Sequence, residues 1–375
     1  MPQDQEPDPA PSSQRYRLPS LSDKGALVRL AAIGASVLAI ALCFAFVGGW
    51  LSPGRLGEAR FVDRFEQVNG GAHAGFRRNH AKGVCIAGGF DSNGQGVRLS
   101  KAVVFTPGRV PVTGRFSLAG GQPHVADGPT AVLAMALRLR PPAGQEWRMA
   151  MIDIPVFLVR NGEGLYEQLL ATQPDPATGQ PDPAKMAAFT ANHPEFLPAM
   201  QLVKSTPLPS GFANATFNGL NAFRFVNASG AVTPVRWSMA ASDPFTPETP
   251  EQAKNPDKNY LFDDFIARVA RRPVQWHLLV TIGQPGDVTS DPTIPWPAER
   301  ERVDVGTLTI NHVETEAPGN CRDINFDPLV LPTGIEPSDD PILSARSATY
   351  SQSFTRREGE KKTPSAVQVP VGKGS

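Results

Sequence analysis

The sequence has little of several residue types that mark particular classes of protein. Its 375 residues include 3 cysteines and 4 tyrosines, and 36 basic residues balance 36 acidic ones. Without an excess of either charge, nothing indicates binding to nucleic acid or to a strongly acidic partner. No internal repeat occurs, which excludes a repeat architecture. The composition that remains is that of a globular protein, with 41% apolar residues and 38 prolines.

Long hydrophobic runs are also scarce, with one exception near the N-terminus. Residues 30–51 contain no charge, and a helix of this length, at ~1.5 Å rise per residue, would cross a hydrocarbon layer of ~30 Å. A cleaved signal peptide has a shorter apolar core of about 7 to 15 residues and a small-residue cleavage site. This stretch is longer and ends in Gly-Gly-Trp-Leu. We expect an uncleaved transmembrane anchor at 30–51, and a cleaved signal peptide is the alternative.

The flanks of this span bear on its orientation. Residues 1–29 are polar and proline-rich, and we expect them to form a disordered tail. Basic residues are slightly more numerous before the span than after it, with Arg15, Arg17, Lys24 and Arg29 on one side and Arg55, Arg60 and Arg64 on the other. The positive-inside rule therefore favours a cytoplasmic N-terminus, with the rest of the chain on the outer side.

Hydrophobic periodicity after the span predicts a mixed fold. Alternating or β-rich runs occur at 103–106, 131–138, 156–160, 222–227, 235–239, 276–282 and 305–312. Helical patterns occur at 164–171, 183–191, 261–270 and 346–355. Strands dominate the first part, and helices are inserted between them. This pattern predicts an α+β domain with an antiparallel sheet.

The segment Arg346-Ser347-Ala348-Thr349-Tyr350 could supply a metal ligand. A phenol ligates ferric iron as the phenolate, so a group with a free pKa near ~10 must be held deprotonated by iron and a nearby cation. On a helix, Arg346 lies one turn before Tyr350 on the same face and could be that cation. The string R-x-x-x-Y is common, however, and by itself also describes an exposed helix face.

The segment Arg77-Arg78-Asn79-His80-Ala81-Lys82-Gly83 contains a second candidate. Imidazole titrates near ~6.5, so His80 could act as base and then as acid within one turnover. A single histidine is more often structural. The other five histidines lie in no comparable motif and are interpreted as structural or surface residues: His73, His124, His193, His277 and His312.

Together with further segments in the same order, these two motifs resemble the haem catalases from about residue 61 to residue 357. The further segments are Arg115-Phe116-Ser117, Phe326-Asp327-Pro328 and the run from Pro332 to Ser338. The resemblance implies a catalase-like antiparallel β-barrel with surrounding helices and long loops. It also implies that Tyr350 is the haem iron ligand, with Arg346 beside it.

The resemblance assigns roles to the remaining candidates. His80 would be the catalytic acid and base, and the Ser117 hydroxyl would hydrogen-bond it and fix its tautomer. Arg77 and Arg357 would pair with the haem propionates, and Arg115 would also contact the cofactor. Because the sequence has no Cys-x-x-Cys-His motif, the haem is expected to be haem b, held non-covalently.

One position departs from the catalase pattern. Aligning Trp147 and Pro155 on the family's W-D-L-V-G-N-N-T-P places Ile152 where a distal asparagine is expected. Isoleucine offers peroxide no hydrogen bond, and losing one costs on the order of 1 to 3 kcal/mol. Disproportionation should therefore suffer, as in the short catalase-related peroxidases. A one-residue slip would bring Asp153 into the position instead. Leu165, in place of a phenylalanine near the haem edge, indicates a different pocket wall.

These inferences give an expected organisation and function. Residues 57–357 would form the haem domain and 358–375 a disordered C-terminal tail. The favoured function is a haem peroxidase that reduces hydrogen peroxide or small organic hydroperoxides with an external organic electron donor. A true catalase, a fatty-hydroperoxide rearranging enzyme and a non-catalytic haem-binding or sensing membrane protein are the alternatives. We expect a single-pass protein of a bacterial inner membrane with a periplasmic haem domain. The spacing of Cys85 and Cys321 does not decide whether they form a disulfide.

Overall fold

The computed structural model of the chain describes residues 24–47, 56–128, 131–142, 144–175, 177–255 and 257–370. Residues 1–23 of the expected N-terminal tail, residues 48–51 of the expected anchor and residues 371–375 of the expected C-terminal tail lie outside the described residues. The chain divides into two compact units, residues 1–57 and 58–375, and each is described by itself.

The first unit contains one helix, α1 (Lys24–Val47). It begins six residues before the expected span, so residues 24–29 are helical and the prediction of a tail is wrong there. By length and composition, α1 could cross a membrane from Lys24 to Phe46, although a signal sequence would meet the same criterion. The expected span began at Leu30 because Arg29 is charged, but arginine, leucine and alanine all favour helix, so a charge at residue 29 does not end α1.

The second unit is built around a closed antiparallel β-barrel. Its strands are β1 (Gly83–Ser92), β2 (Gly108–Leu118), β3 (Leu133–Leu139), β4 (Trp147–Ile152), β5 (Phe217–Asn218), β6 (Phe223–Val226), β7 (Val232–Ala241), β8 (Val274–Ile282), β9 (Arg302–Glu314) and β10 (Ile335–Pro337). Eight of them pair in the order β7-β5-β4-β3-β2-β1-β9-β8, and β8 pairs back with β7 to close the barrel. β6 pairs with both β7 and β10. The expected fold class is confirmed.

Helices surround the barrel: α2 (Glu58–Val68), α3 (Gly162–Ala171), α4 (Pro183–Asn192), α5 (Phe196–Ser205), α6 (Pro250–Ala253), α7 (Tyr260–Arg271) and α8 (Pro341–Glu358). α8 begins where the Asp340 side chain accepts a hydrogen bond from the amide of Ile342 and Pro341 occupies the first turn, an arrangement that satisfies helix N-termini. It is longer than the predicted 346–355 because its polar and small residues carry little hydrophobic periodicity.

The barrel interior is filled by aromatic side chains. Phe116 on β2 contacts the rings of Phe217, Phe265 and Trp276, with centroids 4.6 to 5.5 Å apart. Alternate residues of the strands point into this core, as in β4, where Trp147, Met149 and Met151 are buried. The opposite face of the strands is therefore available for a site outside the barrel.

The outer face of β2, β3 and β4 carries small side chains next to polar ones. Cross-strand register places Ser117 opposite Ala134 and Ala134 opposite Ile152 in one row. It places Arg115 opposite Ala136 and Ala136 opposite Ala150 in the next. Because directly opposed residues point to the same face, the alanines leave a shallow surface between the serine and arginine of β2 and the isoleucine of β4.

Two predicted strands are absent. Residues 103–106 lie mostly in a short 3-10 turn (Val103–Phe105) and residues 156–160 form bends. Both runs are apolar because they pack on the core, and Val104, Phe105 and Val156 are fully buried. Burial of a loop gives the same apolar run as burial of a strand, so periodicity alone could not separate them.

The expected disordered C-terminal tail is wrong for residues 358–370. After α8 the chain packs back on the domain: Val367 is fully buried, and the Val369 amide donates to the Thr315 hydroxyl. The Glu360 carboxylate accepts from the Gly75 amide at 2.8 Å and pairs with the Arg78 guanidinium. A few apolar residues and one carboxylate fix this segment although its composition is mostly polar.

Cys85 and Cys321 form a disulfide, with Cα atoms 5.3 Å apart. It joins β1 to the long segment between β9 and β10, 236 residues later in the chain. Both cysteines are fully buried and pack with Ile324, Phe326 and, at the edge of the cluster, Tyr350. The disulfide therefore fixes one wall of the region in which the candidate residues lie.

Candidate active site

A cavity of about 480 Å³ lies between the outer face of β2–β4 and the helices α2, α3 and α8. This volume is typical of sites that enclose a small organic ligand or cofactor. The cavity brings together every site residue predicted from the sequence. These residues are Arg77, His80, Arg115, Ser117, Arg346, Tyr350 and Arg357.

One wall of the cavity is a single face of α8. Arg346, Tyr350 and Arg357 follow at intervals of four and seven residues, which places them on one side of the helix. The Arg346 guanidinium lies 5.8 Å from the centre of the Tyr350 ring and 5.7 Å from that of Phe157. It therefore supplies a permanent positive charge next to the phenol.

Arg346 is held by a hydrogen-bonded chain that the sequence analysis missed. Its Nη1 donates to Oδ1 of Asn221 at 2.6 Å, and its Nη2 donates to the Ala150 carbonyl at 2.9 Å. The Asn221 Nδ2 in turn donates to Oδ2 of Asp340 at 2.7 Å. Burial raises the pKa of Asp340 to about 6, although the Asn221 hydrogen bond lowers it. Asn221 and Asp340 lie in no motif, and no sequence signal identified them.

His80 lines another part of the cavity and has an unusual backbone conformation. Its φ is 58°, in the left-handed region that non-glycine residues rarely adopt. The Asn79 side chain fixes this turn, because its Oδ1 accepts from the amides of His80 at 3.0 Å and Gly120 at 2.8 Å. The Ala81 amide donates to the Gly120 carbonyl at 2.9 Å. A network of backbone bonds thus directs the imidazole into the cavity.

The environment keeps the His80 imidazole uncharged. His80 lines the cavity and is half-buried. Burial, followed by the charges of Arg115, Arg346 and Arg77, lowers its pKa to about 3, against a backbone hydrogen bond with Leu118. Its Nδ1 is buried and has no hydrogen-bond partner among the described residues. The expected hydrogen bond from Ser117 to this ring is not found among those residues, although Ser117 is buried in the same cavity wall. A neutral imidazole can accept a proton at neutral pH.

The structure decides between Ile152 and Asp153. Ile152 lines the cavity, whereas Asp153 does not. The Asp153 carboxylate accepts a hydrogen bond from the Leu133 amide at 3.0 Å on the other side of the strand. Burial raises its pKa to about 7, opposed by that hydrogen bond. The cavity therefore presents the apolar side chain of Ile152 rather than the carboxylate of Asp153, and Leu165 and Phe157 also line it.

Three arginines converge at one end of the cavity: Arg77, Arg115 and Arg357. Arg77 donates to the carbonyls of Cys321 and Ile324, at 3.3 and 2.8 Å. Arg115 donates to both oxygens of Glu316, at 2.5 and 3.2 Å. Gly83 makes room for it, since a Cβ at residue 83 would lie 2.5 Å from an Arg115 nitrogen.

Arg357 differs from the other two arginines. Only 3% of it is exposed, and its Nε is buried without a hydrogen-bond partner among the described residues. Burial and then the charge of Arg115 lower its pKa to about 10. Buried guanidinium groups are normally paired with anions, so this end of the cavity has the chemistry of an anion site.

A catalase family model matches residues 61–373 of the chain. The chain belongs to the catalase family. It is 39% identical over 287 residues to a catalase-related peroxidase of Synechococcus elongatus, which covers 76% of this chain and 85% of the relative. A catalase-related peroxidase of Mycolicibacterium paratuberculosis is 33% identical over 303 residues, with 80% and 95% covered. These similarities make the chain an oxidoreductase of the catalase superfamily that acts on peroxide.

Full-length catalases match over a smaller part of their length. The catalase of Pseudomonas syringae pv. syringae is 26% identical over 292 residues, which is 75% of this chain and 57% of the relative. A solved bacterial catalase superposes with a TM-score of 0.66 at 21% identity and covers 81% of this chain and 62% of its own. The structural likeness shows the fold, and the chain spans less than two thirds of that catalase.

The residues around the cavity fit the haem that catalase family members typically bind. The alanine rows of β3 and β4 offer a shallow surface for a flat ring. Tyr350 can provide an oxygen ligand, which is the ligand type known for catalase haem iron. The Nε of Arg357, which has no hydrogen-bond partner in the described part of the chain, lies among basic groups suited to carboxylates.

Proposed function

We propose that the second unit is a haem peroxidase that reduces hydrogen peroxide or small organic hydroperoxides with an external organic electron donor. The observation that carries this proposal is the composition of the His80 wall. It combines a neutral imidazole with the apolar side chain of Ile152, while the carboxylate of Asp153 is directed away. Such a wall can move a proton but cannot hold a second peroxide molecule by a hydrogen bond at residue 152.

Five residues would hold haem b without a covalent bond. Tyr350 would ligate the iron as phenolate, with Arg346 stabilising the negative charge on its oxygen. Arg77, Arg115 and Arg357 would bind the propionates. When bound, the haem supplies the iron that accepts and donates electrons in peroxide reduction.

His80 would move the proton during peroxide cleavage. Its neutral ring would take the proton from one peroxide oxygen and return it to the other as the O–O bond breaks, and that oxygen would leave as water or alcohol. Overall, the external donor would supply the two electrons and two protons with which the remaining oxygen also becomes water. The lowered pKa keeps the ring uncharged at neutral pH, so a nitrogen is free to accept the proton, and it makes the protonated ring a strong acid for the second half of the transfer. Ser117, buried in the same wall, would orient the peroxide or the imidazole through its hydroxyl.

Ile152 would favour peroxidase over catalase turnover. Disproportionation needs a second hydrogen peroxide to be positioned as reductant, and loss of one hydrogen bond to it costs on the order of 1 to 3 kcal/mol. A small organic donor can instead deliver electrons at the edge of the cavity. The apolar lining by Leu165, Phe157 and Ile152 would tolerate such a donor or an alkyl hydroperoxide.

We also propose that α1 anchors the protein in a bacterial inner membrane, with the haem domain, residues 57–357 and the segment that follows α8, in the periplasm. The length and composition of α1 support the anchor. The Cys85–Cys321 disulfide supports the compartment, because disulfides persist in oxidising environments such as the periplasm. Digestion of the domain by protease added to intact spheroplasts would agree with this placement, and full protection would contradict it.

The function is tested on the full chain in detergent, loaded with haem and mixed with hydrogen peroxide or an alkyl hydroperoxide. Oxygen release and oxidation of an aromatic donor are recorded in one vessel. We expect rapid donor oxidation with little oxygen. Vigorous oxygen release would identify a true catalase, and turnover of a fatty hydroperoxide without any donor would identify a rearranging enzyme. Haem binding without reactivity would identify a haem carrier or sensor.

A further inference from the structure

Glu316 is a buried carboxylate behind the arginine end of the cavity. It lies in the segment after β9, with 7% of its side chain exposed, and it does not line the cavity itself. Its two oxygens accept from Nε and Nη2 of Arg115, and one of them lies 3.6 Å from Nη1 of Arg77. Glu316 therefore contacts the arginines Arg115 and Arg77 on the side away from the cavity.

The backbone on both sides of Glu316 is held in place. The Thr315 hydroxyl accepts from the Val369 amide at 2.8 Å, and the Ala317 amide donates to the Ser365 hydroxyl at 2.8 Å. Five residues later, the disulfide from Cys321 to Cys85 fixes the same segment to β1. The carboxylate is thus held near the arginines by three independent attachments.

The charges at this end of the cavity do not balance. Arg77, Arg115 and Arg357 carry three positive charges, and Glu316 carries one negative charge. Burial raises the pKa of Glu316, but the charges of Arg115, Arg77 and Arg357 outweigh it and hold the carboxylate ionised. The nearby Arg322 and Asp323 act on Arg357 with opposite signs. Glu360 also acts on Arg357, but it is paired with Arg78. The three cavity-facing arginines therefore exceed the carboxylate that contacts them by two charges, and uncompensated charge away from water is costly.

Resting on the haem function proposed above, we propose that Glu316 is a positioning residue and a built-in counter-anion: it reduces the charge of the three-arginine cluster to two, which matches a cofactor with two carboxylates. In the ligand-free chain, Glu316 limits repulsion among the arginines. In the loaded chain, it and the two propionates share the same three guanidinium groups. The carboxylate therefore stabilises the empty site and opposes the binding of excess negative charge.

Changing Glu316 to glutamine removes the negative charge but keeps the size and shape of the side chain. The amide oxygen can still accept from Arg115, so the arginine keeps a hydrogen bond, but the cluster regains a third positive charge. The full chain in detergent is titrated with haem and with haem dimethyl ester, whose carboxylates are neutral. We expect E316Q to raise the ratio of haem affinity to ester affinity at least about tenfold, because a charge a few ångströms from the propionates is removed. Glu316→Asp should stay near the native ratio.

Glu195 provides a matched control. Its side chain is also 7% exposed and pairs with Arg160 at 2.6 Å, but neither residue lines the cavity. E195Q should leave the ratio of the two affinities unchanged. An unchanged ratio in E316Q, or an equal rise in E195Q, would overturn the role of Glu316.

Two further outcomes are informative. An E316Q chain that is recovered folded only when haem is supplied supports the proposal, because the propionates then replace the missing counter-anion. A chain that misfolds both with and without haem overturns it, since Glu316 would then be needed for structure alone. A native chain that takes up no haem would overturn the proposed function itself.

Discussion

The two walls of the cavity differ in how their polar groups are held. On the α8 side, Arg346 is hydrogen-bonded to Asn221, and Asn221 to the buried Asp340. Elsewhere in the cavity, Nδ1 of His80 has no hydrogen-bond partner among the described residues, and the apolar Ile152 lines the same cavity. The first wall holds the Arg346 guanidinium in one position, whereas the His80 ring nitrogen has no such support among the described residues. A site that binds a cofactor tightly and reacts with a small molecule needs both arrangements.

The largest expected effect is a loss of peroxide consumption without a loss of haem when His80 is replaced. Changing His80 to asparagine should lower the rate of peroxide consumption by about 10²- to 10⁴-fold, the usual contribution of an acid–base residue, while haem content stays close to native. Stopped-flow mixing with peroxide and the absorbance of the bound haem measure the two quantities. His312→Asn, at an exposed position, is the control. If the His80 variant lost haem in proportion to its loss of peroxide consumption, His80 would also help to hold the cofactor.

The second prediction restores a polar group to the His80 wall. Ile152→Asn should increase oxygen release from hydrogen peroxide by about tenfold to a hundredfold, because a hydrogen bond worth 1 to 3 kcal/mol becomes available to the reacting oxygen. Donor oxidation at low peroxide should change little. Ile152→Val keeps the wall apolar and should release no more oxygen than the native chain. If the asparagine variant behaves like the valine variant, residue 152 does not limit disproportionation.

The third prediction weakens the α8 wall. Asn221 is fully buried, and changing it to alanine would remove the hydrogen-bond partner of Arg346 Nη1 and of Asp340 Oδ2. Arg346 would keep its bond to the Ala150 carbonyl, and Asp340 would keep its bond from the Ile342 amide. We expect a loss of unfolding free energy of about 2 to 3 kcal/mol, measured by denaturant titration, and faster transfer of haem to an acceptor protein. Peroxide cleavage by the fraction that retains haem should be nearly unchanged. A selective loss of cleavage would show that the two walls are not independent.

The smallest effect concerns Asp153, whose pKa burial raises from 3.8 to about 7. The folded protein retains this proton at pH values where the unfolded chain has released it. The carboxyl group therefore destabilises the fold increasingly as the pH rises from about 4 to 7. Asp153→Asn should raise the unfolding free energy by about 1 to 3 kcal/mol more near pH 8 than near pH 5. Thermal unfolding at both pH values measures this difference, and a pH-independent gain would contradict it.

The sequence predicted the parts of the site that carry specific motifs. His80, Tyr350 and the three cavity arginines could be named because the catalase resemblance gives their order and spacing. Their convergence on one cavity agrees with that order. The choice of Ile152 over Asp153 needed the structure, since a shift of one residue in a strand exchanges the two faces.

The residues missed by the sequence analysis act through partners far away in the chain. Glu316 contacts Arg115 across 201 residues, and Asn221 contacts Arg346 across 125. No local pattern marks such pairs. Strand β1 was also missed, because Gly83, Gly88 and Gly89 lower its apparent β propensity. The Gly88 position needs glycine, since a Cβ there would lie 1.9 Å from the Thr309 carbonyl oxygen on the neighbouring strand.

The left-handed backbone of His80 restricts which residues evolution or a designer can place there. The proposed chemistry requires a side chain that can take up and release a proton, and the φ of 58° requires one that tolerates this conformation. Histidine, asparagine and aspartate are the side chains enriched in that region, while β-branched residues are strongly disfavoured. Of these three, histidine is the base that remains uncharged in a positively charged pocket. The residue at position 80 must therefore meet two independent requirements, one of backbone conformation and one of proton transfer. When a substitution there lowers activity, its effect on the backbone should be measured before the loss of activity is assigned to proton transfer.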